Sequence, residues 1–99
     1  MSKKISWKLT GLRVRKARIE AGLSQADVRE ALHLTSIGRV SEWERGKIMP
    51  SGDHKDLLCA LYKRMHDDLF YELRQEAVAE IETYFTKVRK REKKPDSPP

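Results

Sequence analysis

Residues 22–51 read Gly22-Leu-Ser-Gln-Ala-Asp-Val-Arg-Glu-Ala-Leu-His-Leu-Thr-Ser-Ile-Gly-Arg-Val-Ser-Glu-Trp-Glu-Arg-Gly-Lys-Ile-Met-Pro-Ser51. Ser24 is placed to cap a helix, with Asp27 three residues on to return the hydrogen bond, and Val28, Ala31 and Leu32 then fall on one face. Ser36 opens a second short helical pattern that Gly46 closes, and Pro50-Ser51 starts a third. The stretch therefore predicts two short helices joined by a tight turn, followed at once by another helix.

The helix from about Ser36 to Arg45 has two unlike sides. At 100° per residue Val40, Trp43 and Glu44 share the inward side, whereas Gly38, Glu42 and Arg45 point away, flanked by Arg39 and Ser41. One side anchors the helix and the other offers groups suited to base edges and phosphates. Trp43 accompanies Val40 and belongs to the core rather than to a stacking surface.

Working outward, a first helix is expected from about Gly11 to Ala21, with Gly22 as its left-handed stop. Its core face carries Val14, Ala17 and Ala21 together with Arg18, an arginine that needs a partner. Met1 to Thr10 lack a clear period and read as a basic, flexible or partly helical arm, in which Trp7 has no assigned role. After Pro50-Ser51, Leu57, Leu58, Leu61, Tyr62 and Met65 form an apolar stripe. Phe70, Leu73, Ala77, Ile81, Tyr84 and Val88 then recur at three- and four-residue steps, a long amphipathic helix. Asp67 and Asp68 favour a fresh helix after a bend near His66 over an unbroken run. The residues 92–99 contain no apolar side chain and read as a disordered tail.

The fold expected is all-α: a compact helix-turn-helix bundle of four to five helices with a long amphipathic C-terminal helix. Its divisions are a basic arm over 1–10, the bundle over 11–65, a dimerisation helix over 66–91 and the tail.

A chain of 99 residues has a modest core, and a binding module is the natural expectation. The net charge is +6, and beyond Ser51 the basic and acidic residues number ten each. The excess therefore lies in the first 50 residues, where polyanion binding would localise. The single cysteine, Cys59, allows no internal disulfide. With no signal-like or membrane-spanning apolar run, a soluble, cytoplasmic protein is expected. His33, His54 and His66 have no ligand-like spacing to one another or to Cys59, so no metal or other cofactor is expected. Phosphate loops, nucleophile elbows and paired carboxylates are absent from the sequence, which argues against an enzyme.

The strings Gly11-Leu-Arg-Val-Arg-Lys-Ala-Arg18, Gly22-Leu-Ser-Gln25, Val40-Ser-Glu-Trp-Glu44-Arg-Gly46-Lys and Pro50-Ser51 together resemble the lambda repressor and Cro-like helix-turn-helix family over about residues 10–65. The resemblance implies a five-helix, usually dimeric fold that binds double-stranded DNA. It also implies that Arg18 and Glu44, which the helical wheel places on otherwise apolar faces, form an internal ion pair. By the same carry-over Gln25 touches a phosphate or an adenine edge, Ile37, Gly38 and Glu42 read bases, and Ser41 sits near phosphate. Two departures stand out: the turn over 32–36 is one residue longer than usual, and Arg29 occupies a position that is usually small. Arg29 is free to snorkel outward to a phosphate or to hold the two helices apart.

The DNA surface expected is thus Gln25, Arg29, Ser36, Ile37, Gly38, Arg39, Ser41, Glu42, Arg45 and Lys47. Glu42 either accepts from cytosine N4, braces the arginines three residues to either side, or stands by as a surface acid. Gly38 marks a close backbone approach to DNA or a loose first turn. The stripe of Phe70, Leu73, Ala77, Ile81 and Tyr84 either folds back on the core or pairs with a second copy, and pairing is the expectation. The function expected is a sequence-specific transcriptional regulator, a repressor acting as a homodimer on an inverted repeat. The alternative is an antitoxin or adaptor whose last helix binds a partner protein through residues such as Phe85.

Overall fold

The computed structural model describes residues 3–92 as five helices: α1 (Lys3–Glu20), α2 (Gln25–Ala31), α3 (Ile37–Glu44), α4 (Gly52–Tyr62) and α5 (His66–Glu92). The expected disorder of the tail concerns residues outside this range, apart from residue 92 itself, which ends α5.

α1 begins eight residues before the start expected at Gly11. Much of the stretch read as an arm is helical because α5 lies alongside it: Ser6 and Thr10 are fully buried, and the Ser6 hydroxyl donates to the Glu76 carboxylate. Tertiary contact has extended the helix through a stretch with no apolar period of its own. Further along, Arg13 clamps Glu72 with Nε and Nη2 each 2.8 Å from a carboxylate oxygen. The exposed Arg13 guanidinium favours the charged form of the buried Glu72, so the Glu72 carboxyl lies below the usual carboxylate range.

Gly11 lies inside α1 rather than at its start. A Cβ there would stand 2.5 Å from the Glu44 carbonyl oxygen and 2.8 Å from that of Trp43, so α1 crosses the end of α3 at a separation only glycine permits. Gly46, just past α3, meets the same helix: its φ is +73°, and a Cβ would lie 2.7 Å from the Lys8 Cα.

α2 starts as the sequence predicts. Ser24 Oγ accepts from the Asp27 amide at 3.0 Å, and the Asp27 carboxylate accepts from the Ser24 amide at 2.8 Å, which keeps that acid below its ordinary range. Ser36 occupies the N-cap of α3 with extended backbone, but its side chain makes no capping bond, contrary to expectation. Ser51 does cap α4, accepting from the His54 amide at 3.3 Å.

The chain breaks between α4 and α5. Lys63 takes a left-handed conformation with φ 55°, so the bend expected near His66 is present, and α5 has a second irregularity at the buried Phe70 (φ −119°, ψ 31°). The core gathers Val14, Ala17, Val28, Leu32, Val40 and Trp43 from the first three helices with Leu58, Tyr62, Leu69 and Phe70 from the last two. Several expected core positions lie outside it. Ala21 and Ala31 are exposed, as are Leu57 and Met65, because the core touches only a narrow side of each short helix.

α5 outruns the bundle. The molecule measures 61 × 24 × 23 Å, and its radius of gyration of 18.0 Å exceeds the roughly 13 Å of a compact chain this long. Among the described residues no helix is long and apolar enough to cross a membrane.

Candidate nucleic-acid interface

The position of α3 is fixed from beneath. Val40, Trp43 and Glu44 are buried, as the 100° reading of the sequence requires. Glu44 is the one acid among them. Arg18 of α1 donates to it from Nε at 2.6 Å and from Nη2 at 3.1 Å, while Arg18 Nη1 donates to the Leu23 carbonyl at 2.9 Å. The bond to Glu44 raises the Arg18 pKa further, so the cation is permanent. A third member joins from α2: Gln25 Nε2 donates to Glu44 Oε1 at 3.0 Å.

That last bond gives Gln25 a partner inside the chain. The side chain expected at phosphate or adenine is half-buried and tied to the α1–α3 ion pair, so it locks the start of α2 to the end of α3. Arg29 likewise has a partner inside the chain, its Nη1 lying 3.3 Å from the Leu34 carbonyl in the turn. The turn itself runs through His33 at φ 55°, with the Leu34 amide bonded to the Arg29 carbonyl at 2.9 Å. The turn thus contains one left-handed position, and Arg29 reaches across it to the Leu34 carbonyl.

The rest of the expected surface is open. Ser36, Ile37, Gly38, Arg39, Arg45 and Lys47 are exposed, and Ser41 and Glu42 are half-buried on the same helix. Arg45 Nε lies 3.3 Å from the Ser41 carbonyl. Glu42 is in none of the ion pairs among the described residues, so the bracing of Arg39 or Arg45 by this acid is not made in the free protein. Its carboxylate remains available. Around Gly38 a Cβ would meet only the Ser36 hydroxyl, at 3.4 Å, so no internal packing demands glycine there.

One flank of α3 borders a cleft of about 500 Å³ lined by His33, Leu34, Arg39, Trp43, Ser51 and His54. Two histidines that are distant in sequence therefore share a site beside α3, with the His54 ring 5.2 Å from that of Trp43. Sequence spacing gave no sign of this, because the turn after α2 and the start of α4 meet only in the folded bundle.

The stripe expected for dimerisation is divided by the fold. Phe70 is fully buried in the chain's own core, beneath the His66 ring at 5.0 Å and the Lys55 ammonium at 5.4 Å, and is unavailable to a partner. Leu73 is partly buried against the same core. Ala77, Ile81 and Tyr84 are exposed, and Val78 and Phe85 join them on the protruding part of α5.

An all-α bundle that fixes the second helix of a helix-turn-helix pair by a buried ion pair, and turns that helix's polar side to solvent, is a DNA-binding module. A helix-turn-helix family model matches residues 14–64, over half of the chain. The chain belongs to the lambda repressor/Cro-like helix-turn-helix family and is a DNA-binding transcription regulator. That family is one of regulatory domains rather than of enzymes. Among curated proteins, none matches the chain.

Proposed function

We propose that the protein is a repressor that binds an inverted-repeat operator as a homodimer and acts by occupying a promoter. The observation that carries this reading is the outward side of α3, where Arg39, Ser41, Glu42 and Arg45 surround a first turn with glycine at position 38, on a helix held from below by Glu44. Arg39, Arg45 and Lys47 neutralise phosphates, and Ile37, Gly38 and Glu42 approach the bases. A single eight-residue helix reads only a few base pairs. Two such helices about 34 Å apart, one duplex turn, would read a palindrome.

Exposed Ala77, Ile81 and Tyr84 on the projecting part of α5 support pairing through that helix. The test is selection of bound sequences from random duplex DNA, followed by titration of a full palindrome and of its half-site at two salt concentrations. A steep salt dependence and much tighter binding to the palindrome are expected. A monomer at micromolar concentration that binds the half-site as tightly as the palindrome overturns the homodimer. Failure to select any sequence would favour the adaptor reading, in which α5 docks a different protein.

A further inference from the structure

α1 carries a basic edge that the helix-turn-helix motif does not account for. At 100° per residue Lys8 and Arg15 fall about 20° apart around the helix, and the same edge borders Gly11 and Arg18, the positions at which α1 meets the end of α3. The contact is close at Lys8. A Cβ on Gly46 would lie 2.7 Å from the Lys8 Cα and 2.8 Å from the Lys8 nitrogen, so the backbone of α1 there touches the chain between Arg45 and Lys47.

Lys8, Arg15, Arg45 and Lys47 are exposed, and none of them takes part in an ion pair among the described residues. The acids of the neighbouring elements are engaged elsewhere: Glu44 with Arg18, Glu20 with Arg64 and Glu72 with Arg13. Glu42, on the outward side of α3, is the remaining acid of that helix. Like charges gathered along one rim without counter-charges repel one another, and a polyanion laid on the rim relieves this.

We infer that this edge of α1 is a second phosphate-binding surface: Lys8, beside Arg45 and Lys47, and Arg15, further along the helix, hold the backbone of the duplex that α3 reads. The inference deepens the DNA-binding reading and rests on it, but not on the homodimer. Seven residues advance a helix by about 10 Å, and each duplex strand carries one phosphate per roughly 3.4 Å of its axis, so Lys8 and Arg15 reach different phosphates. Contacts of this kind add affinity and fix the orientation of the module on the duplex, without base preference. They also give the early start of α1 a use, because the helical stretch before Gly11 brings Lys8 against the end of α3.

The test titrates the full-length chain against a short duplex of random sequence between about 50 and 200 mM salt. Lys8→Gln and Arg15→Gln should each weaken binding about tenfold at the low-salt end and make the slope of log affinity against log salt shallower by about 0.9, and Lys8→Arg should keep the parent's values. Lys16→Gln makes the same charge change on the side of α1 turned away from α3, at an exposed residue in no ion pair among the described residues, and should leave affinity and slope as they are. A double Lys8→Gln, Arg15→Gln variant with the parent's affinity and slope would overturn the inference. So would an equal loss in Lys16→Gln, which would reduce the effect to net charge. A lowered melting temperature with unchanged binding would make Lys8 a counter-charge for the carbonyl end of α3 and likewise overturn it. A parent chain that binds no duplex at all would remove the DNA-binding reading together with this surface.

Discussion

Arg18 and Glu44 lie 26 positions apart in sequence, and their side chains meet at 2.6 Å, joining the last turn of α1 to the end of α3. Both are largely withdrawn from water, with side-chain exposures of 12% and 3%. The pair is not isolated, since Gln25 shares Glu44 Oε1 and Arg18 also holds the Leu23 carbonyl. One carboxylate thus fixes α1, α2 and α3 to one another.

Glu44→Ala should cost roughly 3–5 kcal/mol, because it leaves the Arg18 guanidinium buried without its counter-ion. Thermal melting of the variant checks this. Replacing both residues with apolar ones of similar size should cost clearly less than the single change. A Glu44→Ala protein that melts with the parent would show that the pair carries no structural role.

Glu42 should govern discrimination more than attraction. Glu42→Gln removes a charge that phosphates repel, so total affinity for random DNA should hold or rise, while preference at one base pair should fall by roughly 1–3 kcal/mol. Competition binding with single-base operator variants measures this, and an unchanged preference would make Glu42 a bystander. Arg39→Ala and Arg45→Ala should weaken binding to all sequences alike and reduce its salt dependence.

At Gly38 stability and function should part company. With only the Ser36 hydroxyl near a hypothetical Cβ, Gly38→Ala fits without a clash, and it should stabilise α3 by about 1 kcal/mol. If the backbone approaches DNA closely at this turn, operator affinity falls in the same variant. Denaturant unfolding and DNA titration on one preparation separate the two effects.

The α1–α5 clamp should make the protein acid-sensitive. Glu72 has its pKa depressed in the fold by the Arg13 guanidinium, so the unfolded chain binds this proton first as pH falls. The stabilisation is therefore complete above the ordinary glutamate value of about 4.3 and is lost as pH drops below it toward the folded value. Glu72→Gln should flatten the stability profile below about pH 5, measured by denaturant unfolding at each pH.

Tyr62 has a buried hydroxyl with no hydrogen-bond partner among the described residues, and burial pushes its pKa upward. Tyr62→Phe removes a desolvated group without opening a cavity and should be neutral or stabilising by up to about 1 kcal/mol. A marked drop in melting temperature would reveal a partner for that oxygen.

Much of the DNA-facing half was legible in the sequence because its signals are local. Ser24 with Asp27, the glycine at position 46 and the Val40-Trp43 spacing each act within one or two helical turns, and all took the predicted form. Even the Arg18–Glu44 pair could be anticipated, since a charge on an apolar helix face has few ways to be satisfied. The bordering acid of α3, Glu42, was found on the outward side by the same periodicity.

What local pattern could not supply was the use of a face by a distant element. Gly11 read as a helix start, yet it is the crossing point of α1 and α3; a glycine inside a helical run was the available signal. The sequence did not show that Gln25 and Arg29, both expected at DNA, also have partners within the chain, Glu44 across the bundle and the Leu34 carbonyl in the turn. Phe70 fitted the period of the α5 stripe and was claimed for a partner, whereas it is fully buried in the chain's own core.

The sequence by itself determined where helices start and stop in the motif, which side of α3 is buried, and that the positive excess lies in the first half of the chain. Only the tertiary structure decided that α1 extends through the basic arm, that Phe70 is core while Ile81 and Tyr84 are surface, and that Gln25 locks the motif from within. The physical reason is range: capping and helical periodicity are set by neighbours three or four residues away, but burial is set by whichever distant segment arrives, and α5 arrives on α1 from about 60 residues further along the chain.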